Sequence, residues 1–116
     1  GNGLAAFRAD LGDRMRDVTV VTMSEFGRRV EENASSGTDH GHGNFMFVMG
    51  GGAHGGQVFT QGFSLARENL DDGDVRITTD YRDVLAEIVS TRLLNPALDQ
   101  VFPDHVVSPL GLVTGR

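Results

Sequence analysis

Apolar residues recur at helical spacing in two segments of the chain. The first segment predicts an amphipathic helix over residues 3–16, because its apolar positions lie three or four residues apart: Leu4, Phe7, Leu11 and Met15. The second predicts a helix over residues 80–94 with an apolar stripe of Tyr81, Val84, Leu85, Ile88 and Leu93. Asn95-Pro96 supplies its stop signal. The chain is therefore expected to carry a helix toward each end.

Two apolar runs between these helices predict strands. "VTVVTM" (Val18 to Met23) and "NFMFVMG" (Asn44 to Gly50) carry no charge, which suits strands covered on both faces, as in a parallel sheet. Further on, "QVFTQGF" suggests a short strand or hairpin arm, and "LDDGDVR" a turn at Asp72-Gly73. The order of elements predicts an α/β fold, with a mainly parallel sheet flanked by helices and a short β-hairpin.

Length and composition limit the possible functions. The 116 residues suffice for one core, and the net charge of -6, from 16 acids and 10 arginines without lysine, argues against a nucleic-acid partner. No apolar run approaches the roughly 18 residues of a membrane span. Without cysteine, the strong metal ligands are His, Asp and Glu. Because Gly1 stands where an initiator methionine would, the chain is expected to be a piece of a longer protein.

The polar segment 24–43 carries the main candidate chemistry. It is rich in Gly, Ser and Asn, and we predict a long loop with at most a helical turn near residues 28–33. Asp39, His40 and His42 lie in its glycine-rich part, and Glu25 follows the first strand. Imidazole and carboxylate ligands suit Zn, Mn or Fe better than Mg or Ca. The alternative is a solvated polar loop whose histidines have no special role.

Other motifs carry less. The "GGGAHG" stretch (Gly50 to Gly55) satisfies G-x-G-x-x-G, but no helix start follows it, as a dinucleotide site requires. Ser24 lacks the flanking glycines of a nucleophile elbow. The acidic "DDGD" segment lacks the ligand spacing of a calcium loop, which favours a surface turn. His54 and His105 stand alone, which is typical of structural or exposed histidines.

Arg28 and Arg29 lie beside the candidate metal loop. An arginine there could clamp an anionic substrate, and Arg28 is the candidate. Alternatively, the two arginines form surface ion pairs with Glu31 and Glu32.

The segment "VTVVTMSEFGRRVEENASSGTDHGHGNFMFVMGGGAHGGQVF" resembles the bacterial family called domain of unknown function 1501. "DGDVRITTDYRDVLAEIV" and "VFPD" extend that resemblance over almost the whole chain. The family in turn resembles the alkaline-phosphatase-like superfamily, which includes sulfatases and cofactor-independent phosphoglycerate mutases. The resemblance implies that residues 1–116 form the C-terminal part of a single alkaline-phosphatase-like domain whose N-terminal half is absent.

The superfamily resemblance also implies roles for particular residues. It places Glu25 where the superfamily has a strand-end aspartate ligand, and His40 or His42 at the loop histidine. Phe26 stands where a metal-binding histidine is expected, and a phenyl ring cannot coordinate. Asp39 or the second histidine then replaces the lost ligand, or one metal is bound instead of two, or activity has been lost.

The function implied is a metal-dependent hydrolase of phosphate or sulfate esters, with a small anionic ester as substrate. The nucleophile, a Ser, Thr or modified Cys, would lie in the absent half, so the isolated chain is expected to be inactive. The alternative is a degenerate, non-catalytic domain that binds a metal, a ligand or a partner. Twin-arginine export signals in the family imply an extracytoplasmic location.

Overall fold

The computed structural model describes residues 1–115, which form two compact units. The first unit comprises Gly1–Val21, Phe47–Gly56 and the chain from Tyr81 onward. The second, which we call the hairpin unit, comprises Thr22–Met46 and Gln57–Asp80. In chain order the helices are α1 (Asn2–Leu11), α2 (Tyr81–Thr91) and α3 (Leu98–Val101), with 3₁₀ helices at Gly12–Asp17 and Arg67–Asn69. The strands are β1 (Thr19–Val21), β2 (Gly27–Glu32), β3 (Thr38–Gly41) and β4 (Val48–Gly50).

Each of the two apolar runs contains a strand of three residues, which is shorter than predicted, and the predicted arrangement of the strands is wrong. β1 and β4 pair with each other in an antiparallel ladder that matches Thr19 with Gly50 and Val21 with Val48. All six strand residues are half-buried. An uncharged, β-branched run therefore indicated strand here, but it carried no information about strand direction.

The predicted fold class is wrong. The described residues form two separate two-stranded antiparallel sheets, β1 with β4 and β2 with β3, and not a mainly parallel sheet flanked by helices. Each strand is between three and six residues long. Parallel pairing needs a crossover of a dozen or more residues, usually a helix. The residues between β1 and β4 instead contain the antiparallel strands β2 and β3.

Both predicted helices are present, and each is shorter than expected. The first segment is α-helical to Leu11 and continues as a 3₁₀ helix that buries Met15. In α2 the buried residues are Asp83, Val84, Ala86 and Glu87. Two members of the predicted apolar stripe, Tyr81 and Leu93, are instead exposed. The inward face of α2 is therefore mixed, with two carboxylates beside two apolar side chains.

The hairpin unit replaces most of the predicted loop 24–43. β2 and β3 pair antiparallel around a turn organised by Asn33, whose side-chain oxygen accepts the backbone N–H groups of Ser35 and Gly37 at 3.0 and 3.1 Å. Gly27 permits the close approach at the base of the hairpin, because a Cβ there would lie 1.9 Å from the Gly43 carbonyl oxygen. Asparagine followed by a short serine-glycine segment is a turn signal, so the hairpin had a readable signal that the loop prediction missed.

No helix within residues 1–115 is long and apolar enough to cross a membrane.

Candidate functional site

A histidine and two aspartates meet in the hairpin unit. His42 follows β3, and its Nδ1 lies 3.2 Å from Asp71 Oδ2 and 3.6 Å from Asp74 Oδ2. We call His42, Asp71 and Asp74 the histidine cluster. The side chains of His42 and Asp71 are 61% and 63% exposed, whereas that of Asp74 is 11% exposed. The cluster thus combines an accessible imidazole with one buried carboxylate.

A tight turn brings the two aspartates together. Asp71 and Asp74 exchange backbone hydrogen bonds of 3.0 and 2.9 Å across Asp72 and Gly73, whose φ angles are 50° and 88°. Positive φ at both central residues is the requirement of a type I′ hairpin turn, and Asp-Gly is a preferred sequence for it. The predicted turn at Asp72-Gly73 is therefore confirmed. Both carboxylates leave the turn beside His42.

Backbone pairing attaches this turn to the first hairpin. Gly43 donates its N–H to the Val75 carbonyl at 2.8 Å, and Val75 donates to the Arg28 carbonyl at 3.0 Å. The Val30 N–H is bonded to the Gly73 carbonyl at 3.1 Å. These bonds hold the segment after β3 next to the Asp71–Asp74 turn. The position of His42 in the cluster is therefore set by backbone structure.

Arg29 satisfies the buried carboxylate. Its guanidinium donates to Asp74 Oδ1 at 3.1 Å and to the Asp72 carbonyl at 2.8 Å. A buried carboxylate is costly unless it is paired and hydrogen-bonded, and Arg29 meets that need on one oxygen. The second oxygen of Asp74 then faces His42. Arg29 therefore pairs with Asp74, across the unit, and not with Glu31 or Glu32.

The other predicted ligands lie in different surroundings. Asp39 and His40 are neighbours on β3, where successive side chains point to opposite faces. Asp39 accepts a hydrogen bond from the Asn33 amide at 2.8 Å. His40 stacks on Phe26, with ring centroids 4.1 Å apart and an interplanar angle of 24°. The exposed Glu25 side chain contacts none of residues 1–115 through a hydrogen bond or ion pair.

Arg28, the candidate for substrate binding, is engaged within the hairpin. It donates to the Thr38 carbonyl at 2.8 Å, and its guanidinium carbon lies 5.3 Å from the centre of the Phe26 ring. These contacts make Arg28 a cross-strand support for β2 and β3.

The four predicted ligands do not meet at one point. Of Asp39, His40, His42 and Glu25, the structure brings only His42 together with other ionisable groups, and those are Asp71 and Asp74. Within residues 1–115 no group of three or more His, Asp or Glu side chains has the geometry to hold a metal ion. The donor atoms around His42 form an imidazole–carboxylate hydrogen-bonding arrangement.

The first unit contains a second set of buried charges, which was not predicted from the sequence. Glu87 on α2 is 7% exposed, and its carboxylate accepts four consecutive backbone N–H groups. Leu110 and Gly111 donate to one oxygen at 2.7 and 2.8 Å. Leu112 donates to the other oxygen, as does Val113 at 2.8 Å. Glu87 thus binds the backbone of the C-terminal segment.

The hydrogen bonds from the backbone lower the pKa of Glu87. Burial alone would raise the pKa of this carboxyl, but the N–H donors of Val113, Leu110, Gly111 and Leu112 together hold its pKa below the usual value of 4.5. The group is therefore a stable carboxylate at neutral pH. All its acceptor capacity is directed at the backbone.

Asp83 and Arg92 also bind the C-terminal segment. We call Asp83, Glu87 and Arg92 the tail clamp. Asp83 Oδ1 lies 2.8 Å from His105 Nε2 and accepts the Ser108 N–H at 2.9 Å. Arg92, 7% exposed, donates to the carbonyls of Arg16, Thr114 and Gly115 at 2.9, 3.4 and 3.3 Å. The four-residue spacing of Asp83 and Glu87 on α2 was a signal for this shared face.

Comparison with known proteins identifies the family. The model of the family described as "Protein of unknown function (DUF1501)" matches residues 1–105, and the chain belongs to this family. No curated protein and no solved structure matches the chain.

Proposed function

We propose that this chain forms part of a hydrolase that acts on phosphate or sulfate esters, and that His42 transfers a proton in the reaction. The observation that carries the proposal is the position of His42 Nδ1, 3.2 Å from Asp71 and 3.6 Å from Asp74. The resemblance to the alkaline-phosphatase-like superfamily supports the reaction class and the anionic substrate. The chain would contribute one part of the active site, with the nucleophile supplied from outside these 116 residues.

The cluster has the arrangement required for proton transfer. A carboxylate at Nδ1 favours the imidazole tautomer that carries its proton there, which leaves Nε2 to accept a proton. No hydrogen-bond partner for Nε2 lies within residues 1–115. The hydrogen bond at Nδ1 also fixes the orientation of the imidazole ring. His42 is half-exposed, so a substrate or water molecule can reach it.

A divalent ion is a separate part of the proposal. The imidazole and carboxylate groups of Asp39, His40, His42 and Glu25 predict Zn, Mn or Fe as the ion, and such an ion would supply charge to stabilise the ester oxygens. These four side chains do not converge in the structure, so they do not fit a single ion as they stand. The proposed role of His42 does not require them to.

The proton-transfer role is tested by substitution in the complete gene product. His42→Gln should lower the rate of hydrolysis of p-nitrophenyl phosphate or p-nitrophenyl sulfate about 10²- to 10⁴-fold, the usual contribution of a positioned acid or base. His54→Gln is the control, because His54 lies in the first unit, against the Gly111 carbonyl. Denaturation midpoints establish that both variants fold. Equal hydrolysis by the His42 variant and the wild type would overturn the role.

The second candidate function is a non-catalytic binding domain of the same family. It is favoured by the contacts of Asp39 with Asn33 and of His40 with Phe26, which use predicted ligands for structural purposes. Elemental analysis of the desalted protein separates the metal hypotheses. His40→Ala lowers the bound metal per chain if the implied site exists, and unchanged stoichiometry removes His40 from the ligand set. Absence of hydrolysis in the wild-type protein would favour this second function.

A further inference from the structure

Two adjoining cavities in the hairpin unit share Arg76 and Ile77. The smaller, about 320 Å³, is completed by Gln61, Gly62 and Thr78. The larger, about 370 Å³, is completed by Glu68, Asn69, Leu70 and Asp71. Ligand pockets generally measure about 300–1,000 Å³. Each cavity is therefore large enough for a small organic molecule, and the shared wall makes a two-part site.

The smaller cavity is lined by hydrogen-bond donors that have no partner. Neither the Arg76 guanidinium nor the Thr78 hydroxyl bonds to any group within residues 1–115. Gln61 uses its side-chain oxygen to accept from Thr79 at 3.4 Å, which leaves its NH₂ group available. No carboxylate lines this cavity. The chemistry of the lining is that of an anion-binding site, with one fixed positive charge and two neutral donors.

Arginine restricts the kind of anion. Its planar guanidinium presents paired N–H groups that match two oxygens of a phosphate or carboxylate. Arg28, Arg29, Arg67 and Arg92 already donate hydrogen bonds to protein oxygens. Arg76 is the uncommitted arginine that lines both cavities.

Two other arginines, Arg8 and Arg14 in the first unit, also make no hydrogen bond or ion pair within residues 1–115. Neither of those two lines the cavities described here. What distinguishes Arg76 is therefore its place in a cavity beside other unused donors.

The larger cavity offers acceptors. Glu68 forms no hydrogen bond or ion pair with any of residues 1–115. Asn69 donates its NH₂ group to Ser64 at 3.2 Å, which leaves the amide oxygen free to accept. Asp71 belongs both to this lining and to the histidine cluster. Carboxylate and amide oxygens bind hydroxyl groups, and the exposed Ile77 gives an apolar surface between the two cavities.

We propose that the two cavities bind a polyhydroxylated molecule carrying a phosphate or sulfate group, such as a sugar ester. Arg76, Gln61 and Thr78 bind the oxyanion, and Glu68 and Asn69 bind hydroxyl groups. This inference rests on the proposed function in one respect, since it places the substrate next to His42 through Asp71. The binding itself requires neither turnover nor a metal ion.

The test is a binding titration of the complete gene product with glucose 6-phosphate and glucose 6-sulfate, followed by calorimetry. Arg76→Gln should raise the Kd of both esters about tenfold or more, since it removes a charge-assisted contact. Arg8→Gln is the control, because it removes the same charge from an exposed position on α1. Arg76→Lys keeps the charge without the planar fork and should give an intermediate Kd. Unfolding midpoints confirm that the variants are folded.

Results from the two variants could overturn the inference in two ways. One is an unchanged Kd in Arg76→Gln, and the other is an equal loss of affinity in Arg8→Gln, which would indicate non-specific attraction. Wild-type protein that fails to bind either ester also overturns it. Ester binding that depends on Arg76 without any hydrolysis would support the cavity assignment and remove the proposed catalytic function. Hydrolysis that depends on His42, together with a Kd that does not depend on Arg76, would support the proposed catalytic function and remove the cavity assignment.

Discussion

Replacing Glu87 with glutamine tests whether a buried carboxylate holds the C-terminal segment on α2. The substitution preserves the shape of the side chain and changes one acceptor oxygen into an NH₂ group. The carboxylate accepts two N–H groups on each oxygen. The amide oxygen can retain two of these bonds, but the NH₂ group then faces two donors. Two backbone N–H groups lose their acceptor.

The expected cost follows from those two groups. A buried donor left without a partner costs about 1–3 kcal/mol, so Glu87→Gln should lower the free energy of unfolding by about 2–6 kcal/mol. Total stabilities of small proteins are about 5–15 kcal/mol, which makes this a large loss. Glu32→Gln provides the control, because Glu32 is exposed and its side chain makes no hydrogen bond or ion pair within residues 1–115. It should change stability by less than about 0.5 kcal/mol.

The pH dependence gives a second, independent result. Because the folded-state pKa of Glu87 lies below its usual value of 4.5, its stabilisation is present above the unfolded-state pKa and is lost as pH falls through the lower folded-state pKa. The stability difference between wild type and Glu87→Gln should therefore narrow as pH falls below about 4.5.

The assay is urea denaturation followed by circular dichroism, with amide hydrogen exchange at residues 110–113. We expect these four amides to exchange faster in Glu87→Gln than in the wild type. A stability loss below about 0.5 kcal/mol, or a difference that stays constant down to pH 3, would refute the reasoning.

Two further substitutions test the hairpin and the tail clamp. Gly27→Ala should prevent normal pairing of β2 and β3, since the new Cβ would lie 1.9 Å from a backbone oxygen, whereas Gly37→Ala meets no atom closer than 3.9 Å. Amide exchange in β2 and β3 measures the effect, and undiminished protection in the position-27 variant would show that the close approach is not required. Asp83→Ala should destabilise the protein by about 1–3 kcal/mol, because the Ser108 N–H loses its acceptor and His105 Nε2 loses its partner, both of which meet Asp83 Oδ1. An unchanged denaturation midpoint would contradict this.

Local patterns in the sequence predicted local structure. The helical spacing in the first segment, the β-branched run at Val18 to Val21 and the Asp72-Gly73 turn all depend on neighbouring residues, and each is present in the structure. Strand direction depends on which distant segment supplies the partner, and the apolar runs carry no such information. This is why the strand positions were predicted while the parallel sheet was wrong.

The candidate site depends on the same distinction. Three of the predicted ligands lie close together in sequence, but the alternation of side chains along β3 separates Asp39 from His40. Asp71 and Asp74 reach His42 from about thirty residues away along the chain, through backbone pairing of Val75 with Arg28. The sequence predicts a surface turn at Asp71 to Asp74, which is correct for the backbone but does not show what the two side chains contact.

Glu87 and Asp74 are both buried carboxylates, but their hydrogen-bond partners suit them to different roles. Glu87 is surrounded by four fixed N–H donors, so its acceptor capacity is used and its charge is stabilised in one state. Asp74 is held on one oxygen by Arg29, and its other oxygen lies near an imidazole whose second nitrogen has no hydrogen-bond partner within residues 1–115. A carboxylate whose oxygens are all hydrogen-bonded to the backbone, such as Glu87, stabilises the fold. A carboxylate beside an accessible imidazole, such as Asp74, suits proton transfer. The histidine cluster is thus the better candidate for chemistry, although the tail clamp contains more of the buried charged residues.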